Sequence, residues 1–338
     1  MGTVNNFSGT LQYCGAAYSQ KFQREIAGFF SQEFGVYNYS RSFVLACLKR
    51  LQQEAPNTAT FLKGVASKSL LSLAEHTLLL LHEEELYHRK LLNKKPHCSA
   101  VGVVYPTGKM GTLLGQNWDW NTAYFPWISF NRFKIRNKPR LLTLSFPGMP
   151  ICAGVNSSGL SLMWTGAGYY PALRPTVGVP TYALIFEILL LNGVEAALDY
   201  LTSIKNAGAF IFILGDAQGS LAVVEAVPGK VFIKRIDAIH RANIFELPEA
   251  IAASSQKLPK LKKCHSLKRN KVFCKTFPDF ALRPSLTGIK AMLSQKDIFV
   301  NNSCLHASLV QMVADCKKKK LLFSFWRQRS KAWIEFNV

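Results

Sequence analysis

Cys98 stands in the run Pro96-His97-Cys98-Ser99-Ala100-Val101-Gly102-Val103-Val104, where a polar, basic stretch gives way to small and β-branched residues. A cysteine at the first position of a strand becomes a terminal nucleophile if the bond between His97 and Cys98 is cut. Its own new α-amine then serves as the base. Free α-amines titrate near ~7.7–8.0 and thiols near ~8.5, so close to neutral pH a proton passes between them at little cost. Such a cysteine needs no catalytic histidine. The ordinary alternative for a lone cysteine is a small buried or surface thiol, and that reading is expected of the other seven, at 14, 47, 152, 264, 274, 304 and 316. No two of them form a CxxC pair, so neither a disulfide framework nor a zinc site is expected, and a reducing, cytoplasmic setting fits best.

Two other groupings resemble chemistry and are set aside. His82 and His88 flank Glu83-Glu84-Glu85. They stand six apart rather than four, so at ~100° per residue they diverge by roughly 120° on a helix and share no face for a metal. A structural or processing-related role is expected there. The glycines of Gly166-Ala167-Gly168 and Gly215-Asp216-Ala217-Gln218-Gly219 have no Lys-Ser/Thr after them, so they read as turns and not as a phosphate loop.

The elements that must hold Cys98 change character at that residue. Before it, Phe22, Ile26, Phe29 and Phe30 recur at helical spacing, as do Leu70, Leu71, Leu78 and Leu81, which predicts a helical segment over 1–97 without strands. Pro96 then discourages helix continuation and turns His97 towards a loop or extended start. From Cys98 the chain reads as strands over 98–105, 112–119, 127–135, 140–145 and 160–165, expected to form one antiparallel sheet. Helices follow over 182–191 and 194–204, then a meander over 209–214, 221–227 and 231–236, a helix around 286–293, and strands over 307–314, 321–325 and 332–336. Strands, helices and strands again predict an α+β fold of two antiparallel sheets layered with helices. The division expected is 1–97, a helical pro-segment or α chain, and 98–338, the catalytic domain or β chain.

The chain has 338 residues, 49% of them hydrophobic, which excludes global disorder. No apolar run reaches the ~18 residues of a membrane span. Against 20 acidic residues stand 41 lysines and arginines, a formal net charge of +21. Arg132, Lys134, Arg136 and Lys138 alternate with Phe133 and Ile135, which predicts a strand with one solvated face and one buried face. Lys317 to Lys320 are placed in a hairpin turn. The run from Lys257 to Lys275 contains no acid and reads as an exposed connector. A nucleic acid or anionic surface is a less favoured partner, since no aromatic rings are interleaved on the charged face.

One hairpin beyond Cys98 comes Leu114-Gly115-Gln116-Asn117-Trp118-Asp119-Trp120. With that run the sequence resembles the acyl-coenzyme A:6-aminopenicillanate acyltransferase family, relatives of the choloylglycine hydrolases among the N-terminal nucleophile hydrolases. There, a cysteine followed by a small residue opens the second chain, and a Gly-Gln-Asn-Trp-Asp run follows about twenty residues later. The likeness continues through Asn156 to Gly166, Gly178 to Ile185, Leu214-Gly215-Asp216, Val224-Glu225-Ala226 and Arg241-Ala242-Asn243. The histidine that follows the asparagine in that family is Ile244 here.

The resemblance implies a four-layer αββα sandwich and a role for each matching residue. Cys98 is nucleophile and maturation site, with His97 as the other half of the cleaved bond. Asp119 holds the free α-amine by charge-assisted hydrogen bonds. Asn243 donates its side-chain amide to the tetrahedral oxyanion, and Thr165 matches the region whose backbone N–H completes that hole. The function implied is a self-processing cysteine amidohydrolase or acyltransferase, acting on an amide or thioester of a small acyl compound through a Cys98 acyl-enzyme. No metal and no resident cofactor is expected; acyl-coenzyme A enters only as a candidate acyl-donor substrate. The partners expected are that small molecule and, once cut, the two chains with each other. Two other readings stay open: a catalytically silent homologue that binds acidic partners through its basic surface, and a papain-like pairing of Cys98 with His240 or His306.

Overall fold

The computed structural model describes residues 3–36, 38–88, 98–106, 111–167, 170, 173–254, 265–300, 306–326 and 332–338. His97 and most of the stretch from Lys90 onward therefore lie outside the described residues. The chain opens on a strand, β1 (Val4–Gly9), and not on a helix. Six residues are too few for their alternation to stand out in sequence. The strand forms because Phe7 is buried against Phe133 and Tyr18, at 5.2 and 5.8 Å between ring centroids. Five helices follow: α1 (Leu11–Phe34), α2 (Arg41–Glu54), α3 (Pro56–Ala66), α4 (Leu73–Leu80) and α5 (His82–His88). Their starts are written in the sequence. Thr10 caps α1 by accepting from the Tyr13 N–H, and Ser72 and Glu75 form a capping box on α4.

Beyond Cys98 come β2 (Ser99–Val104), β3 (Thr112–Asn121), a 3-10 turn (Thr122–Trp127), β4 (Ser129–Ile135), β5 (Leu141–Phe146), β6 (Met149–Asn156) and β7 (Ser161–Gly166). Then follow α6 (Thr181–Leu189), α7 (Val194–Ser203), β8 (Phe210–Gly215), β9 (Leu221–Val227), β10 (Lys230–Arg235) and β11 (Ala238–Arg241). The chain closes with α8 (Pro248–Ala253), α9 (His265–Leu282), α10 (Leu286–Leu293), β12 (His306–Asp315), β13 (Lys320–Phe325) and β14 (Ile334–Asn337).

The strands after Cys98 do not share one sheet, as the sequence led us to expect. The 3-10 turn carries the chain across, so β2 and β3 join a six-stranded sheet of order β11-β2-β3-β12-β13-β14. The next strands build an eight-stranded sheet of order β1-β4-β5-β6-β7-β8-β9-β10. Pairing is antiparallel except for β1 beside β4, which is parallel because β1 arrives from the segment before Cys98. The sheets pack face to face. A Cβ at Gly102 would lie 2.8 Å from Ile213 and 2.9 Å from Leu221 of the opposite sheet, so a side chain there would force the layers apart. Alternation along β2 sends Cys98, Ala100 and Gly102 between the sheets, while Val101 and Val103 join Phe273, Phe277, Ile289 and Leu293 under α9 and α10. The other sheet is covered by α6. The architecture is an αββα sandwich.

Among the basic runs, Lys134 and Arg136 are exposed and Phe133 and Ile135 buried, as the alternation predicts. The run from Lys257 to Lys275 is not a plain connector. From His265 onward it is helix α9, and Arg269 is fully buried because the stripe of Ser266, Arg269, Phe273, Phe277 and Phe280 faces the sheet. Among the described residues, no helix is long and apolar enough to cross a membrane.

Two buried carboxylates join the segment before Cys98 to the rest. Glu187 of α6 accepts from the Thr58 N–H at 2.7 Å and from Asn57 Nδ2 at 2.6 Å, in the first turn of α3. Glu84 of α5 accepts from the N–H and Oγ1 of Thr181, at 2.9 and 2.7 Å, where α6 begins. Each thus places an acid at a helix N-terminus. Burial pushes Glu84 up to about 7 and the neighbouring Glu83 up to about 8. The folded chain therefore holds protons that the unfolded chain releases, and stability falls as pH rises through this range. Burial also holds His76, His240 and His265 down to about 4, but their opposing effect ends at the ordinary histidine value of 6.5. Between pH 6.5 and 8 the midpoint of thermal unfolding should fall, and Glu83→Gln should flatten that fall. A midpoint that rises across that window contradicts this placement of the carboxyls.

Candidate active site

Cys98 lies immediately before β2, and because Ser99 pairs with Asn117, its neighbour across the ladder is Trp118. It is buried, at 7% exposure. Burial pushes the Cys98 thiol up to about 12, helped by the Asp119 carboxylate and Glu83, while the Asp119 N–H and Arg269 pull the other way. In the uncut chain the group is a thiol at neutral pH, so attack requires a base.

Asp119 is near the end of β3 and has no exposed surface. One carboxylate oxygen accepts from Ser308 Oγ of β12 at 2.5 Å, and the other faces Arg269 Nη1 at 3.2 Å. Burial raises Asp119 to about 7, and the guanidinium and the Ser308 hydroxyl restrain the rise.

Asn243 follows β11 with a left-handed backbone, φ 67°, which asparagine tolerates better than most residues. Its Oδ1 accepts from Arg269 Nη2 at 2.9 Å and its Nδ2 donates to the Gly166 carbonyl at 2.7 Å. A guanidinium has donors only, so Arg269 fixes which end of the amide points towards β7. The loop carrying Asn243 is itself anchored. Arg241 pairs with the buried Glu225 at 2.7 Å, and Glu225 also accepts from the N–H groups of Glu246 and Leu247 at 3.0 Å. Two short motifs apart in sequence, at Glu225 and at Arg241-Ala242-Asn243, are halves of one clamp.

Cys98, Asp119 and Asn243 thus meet around Arg269, and Thr165 adjoins them through Gly166. Thr165 is buried and its Oγ1 has no protein partner. Gln116, on the face of β3 shared with Trp118, accepts from the Trp164 N–H at 3.0 Å and leaves its Nε2 without a partner. Sequence reasoning gave Arg269, Ser308 and Gln116 no role. Arg269 could have been found from its position one turn before Phe273 on the apolar stripe of α9; Ser308 offered no signal. His240 stacks on Phe273 at 5.1 Å, on the α9 side of the sheet away from the face that takes Cys98, so a papain-like pairing with it has no geometric support. His306 pairs with Asn121 across β12 and β3. Among the described residues, no group of three or more histidine, cysteine, aspartate or glutamate side chains could hold a metal ion.

A nucleophile candidate at the head of a strand between two sheets, in an αββα sandwich, is the arrangement of the N-terminal nucleophile hydrolases. The family described as acyl-coenzyme A:6-aminopenicillanic acid acyl-transferase matches residues 107–285, more than half of the 338 residues, and the chain belongs to that family. Among solved structures, two variants of conjugated bile acid hydrolase from Clostridium perfringens are similar in fold. Each superposes with a TM-score of 0.50 at 12% identity, covering 71% of this chain and 92% of that one. Penicillin V acylase from Agrobacterium tumefaciens is similar over 68% of this chain and 82% of its own, at 14% identity and a TM-score of 0.40. No curated protein matches the chain significantly.

Proposed function

We propose that this protein is a self-processing cysteine amidohydrolase or acyltransferase, with Cys98 as nucleophile. The observation that carries the reading is the Arg269 bridge, which joins the carboxylate beside Cys98 to the amide beside Thr165 and Gly166. Maturation begins when the Cys98 thiol adds to the carbonyl of His97. The peptide C–N bond breaks, the acyl group passes from nitrogen to sulfur, and water releases it, leaving a free α-amine. Asp119, ionised beside Arg269, holds that amine as its counter-ion. The amine takes the thiol proton, and the thiolate attacks an amide or thioester carbonyl.

The developing oxyanion is met by Asn243. Its Nδ2 carries two hydrogens, and only one is used by Gly166. The backbone N–H near Thr165 and the unpartnered Nε2 of Gln116 are the further donors at hand. Collapse of the tetrahedral species expels the amine or thiol with a proton. The Cys98 thioester is then resolved by water or by an acceptor amine. The segment before Cys98 remains attached after the cut, since it supplies β1 to a sheet and shares buried carboxylates with α3 and α6.

The test is a panel of simple N-acyl amides and acyl thioesters, followed by release of amine or thiol, with the acyl-enzyme trapped by mass. The wild type should turn over at least one of them and Cys98→Ala none. Equal turnover by both removes Cys98 from the chemistry.

A further inference from the structure

We propose that the acyl group received by this site carries a hydroxyl, bound between Trp118 and His82 in an aromatic cavity beside Cys98. The proposal rests on the function above and names its substrate class. The cavity holds about 190 Å³ of empty space and is walled by aromatic side chains including Phe29, Trp118, Trp120, Tyr124 and Tyr182, with His82 among them. It borders the nucleophile, because Trp118 is the cross-strand neighbour of Cys98 and the Tyr182 hydroxyl feels the charge of Cys98. A slim apolar arm attached to a carbonyl at Cys98 therefore has this cavity before it.

The polar atoms of the wall decide what the arm must carry. The Tyr182 hydroxyl donates to Glu83 at 3.2 Å. Tyr124 bonds Glu33 and is in turn bonded by Trp120. His82 Nε2 lies 3.0 Å from Glu33 Oε2. Two atoms remain buried with no protein partner, Trp118 Nε1 and His82 Nδ1. A buried polar atom left unpaired is costly, and a site built to pair it discriminates strongly against ligands that cannot.

The indole N–H only donates, so it needs an acceptor. Since Nε2–H of His82 is turned to a carboxylate, Nδ1 of the neutral ring only accepts, and it needs a donor. A hydroxyl supplies both from one oxygen. An ether or carbonyl oxygen would satisfy the pair only with a charged imidazole, whereas a hydroxyl satisfies it in either charge state. Phe29 and His82 come from the segment before Cys98 and the other walls from beyond it, so this specificity also requires the first segment to stay in place after processing.

The binding arm of the test avoids turnover. Full-length Cys98→Ala protein is titrated by calorimetry with straight-chain carboxylic acids of increasing length and with their terminal-hydroxy analogues. At one chain length the hydroxy acid should bind roughly tenfold or more tighter than the plain acid, the scale of two well-formed hydrogen bonds. In Trp118→Phe and in His82→Phe, each made in the same background, that ratio should collapse towards one. A ratio near one at every length in the parent protein overturns the proposal, whether or not a variant folds. So does a preference that survives both substitutions.

The second arm compares kcat/KM for the matching hydroxyacyl and plain acyl amides on the wild type. A preserved binding ratio with no amide cleaved by the wild type overturns the enzymatic function while leaving the cavity assignment standing.

Discussion

Arg269→Met should lower the folding free energy by about 3–5 kcal/mol, because it leaves the fully buried Asp119 carboxylate without its cation. The loss is greater than the Coulomb attraction alone suggests, since methionine also withdraws the donors to Asn243 Oδ1 and Ser266 Oγ. Arg269→Met with Asp119→Asn should recover much of it, as the stranded charge is then gone. That recovery separates a charge pair from simple packing. The effect on chemistry has its own sign. Without the guanidinium, Asp119 rises further above about 7, so the pH at which turnover reaches half its maximum on the acid side should move upward. Arg269→Lys, which keeps one charge but cannot span both partners, should fall between. Chemical denaturation and a pH–rate profile measure the two effects. A variant as stable as the wild type, with an unmoved profile, would dismiss Arg269 as the centre of the site.

Asn243→Gly should reduce kcat by ~10²–10³, the range for removing one oxyanion donor, with KM changed far less. Glycine is the informative replacement because φ at this position is 67°, where alanine adds roughly 1–2 kcal/mol of backbone strain that would be mistaken for a catalytic effect. Asn243→Ala beside it measures that strain through its lower melting temperature. Asn243→Asp offers no donor and adds a charge that Arg269 can accept, so it should keep the fold and lose the rate. Turnover of Asn243→Gly close to wild type, on a substrate that Cys98→Ala cannot process, would fail the oxyanion assignment even with the nucleophile standing.

The layered α+β fold was legible because β-branched runs and turn residues punctuate the chain clearly after Cys98. The distribution of strands between sheets was not. Nothing in residues 112–135 announces that the chain crosses from one layer to the other at the Thr122–Trp127 turn. β1 escaped because a six-residue edge strand is held by distant partners, Phe133 and Tyr18. Cys98, Asp119, Asn243 and Thr165 were found through motif resemblance, and the structure gathers them at one end of the sandwich. Arg269 was hidden by composition. Surrounded by lysines, it reads as one more solvated charge until the helical stripe of Phe273, Phe277 and Phe280 turns it inward. The clamp of Glu225 on the Asn243 loop was likewise invisible, since it links residues sixteen apart whose geometry depends on two different sheets.

The central claim is that Cys98 cuts the chain ahead of itself and then works as the new terminus. Intact mass of freshly purified wild-type protein beside Cys98→Ala, both confirmed folded, tests it most directly. The wild type should resolve into two species corresponding to residues 1–97 and 98–338 that co-elute under native conditions, and Cys98→Ala should remain a single full-length chain. A wild type that stays full length while folded, or a Cys98→Ala protein cut at the same bond, contradicts the claim.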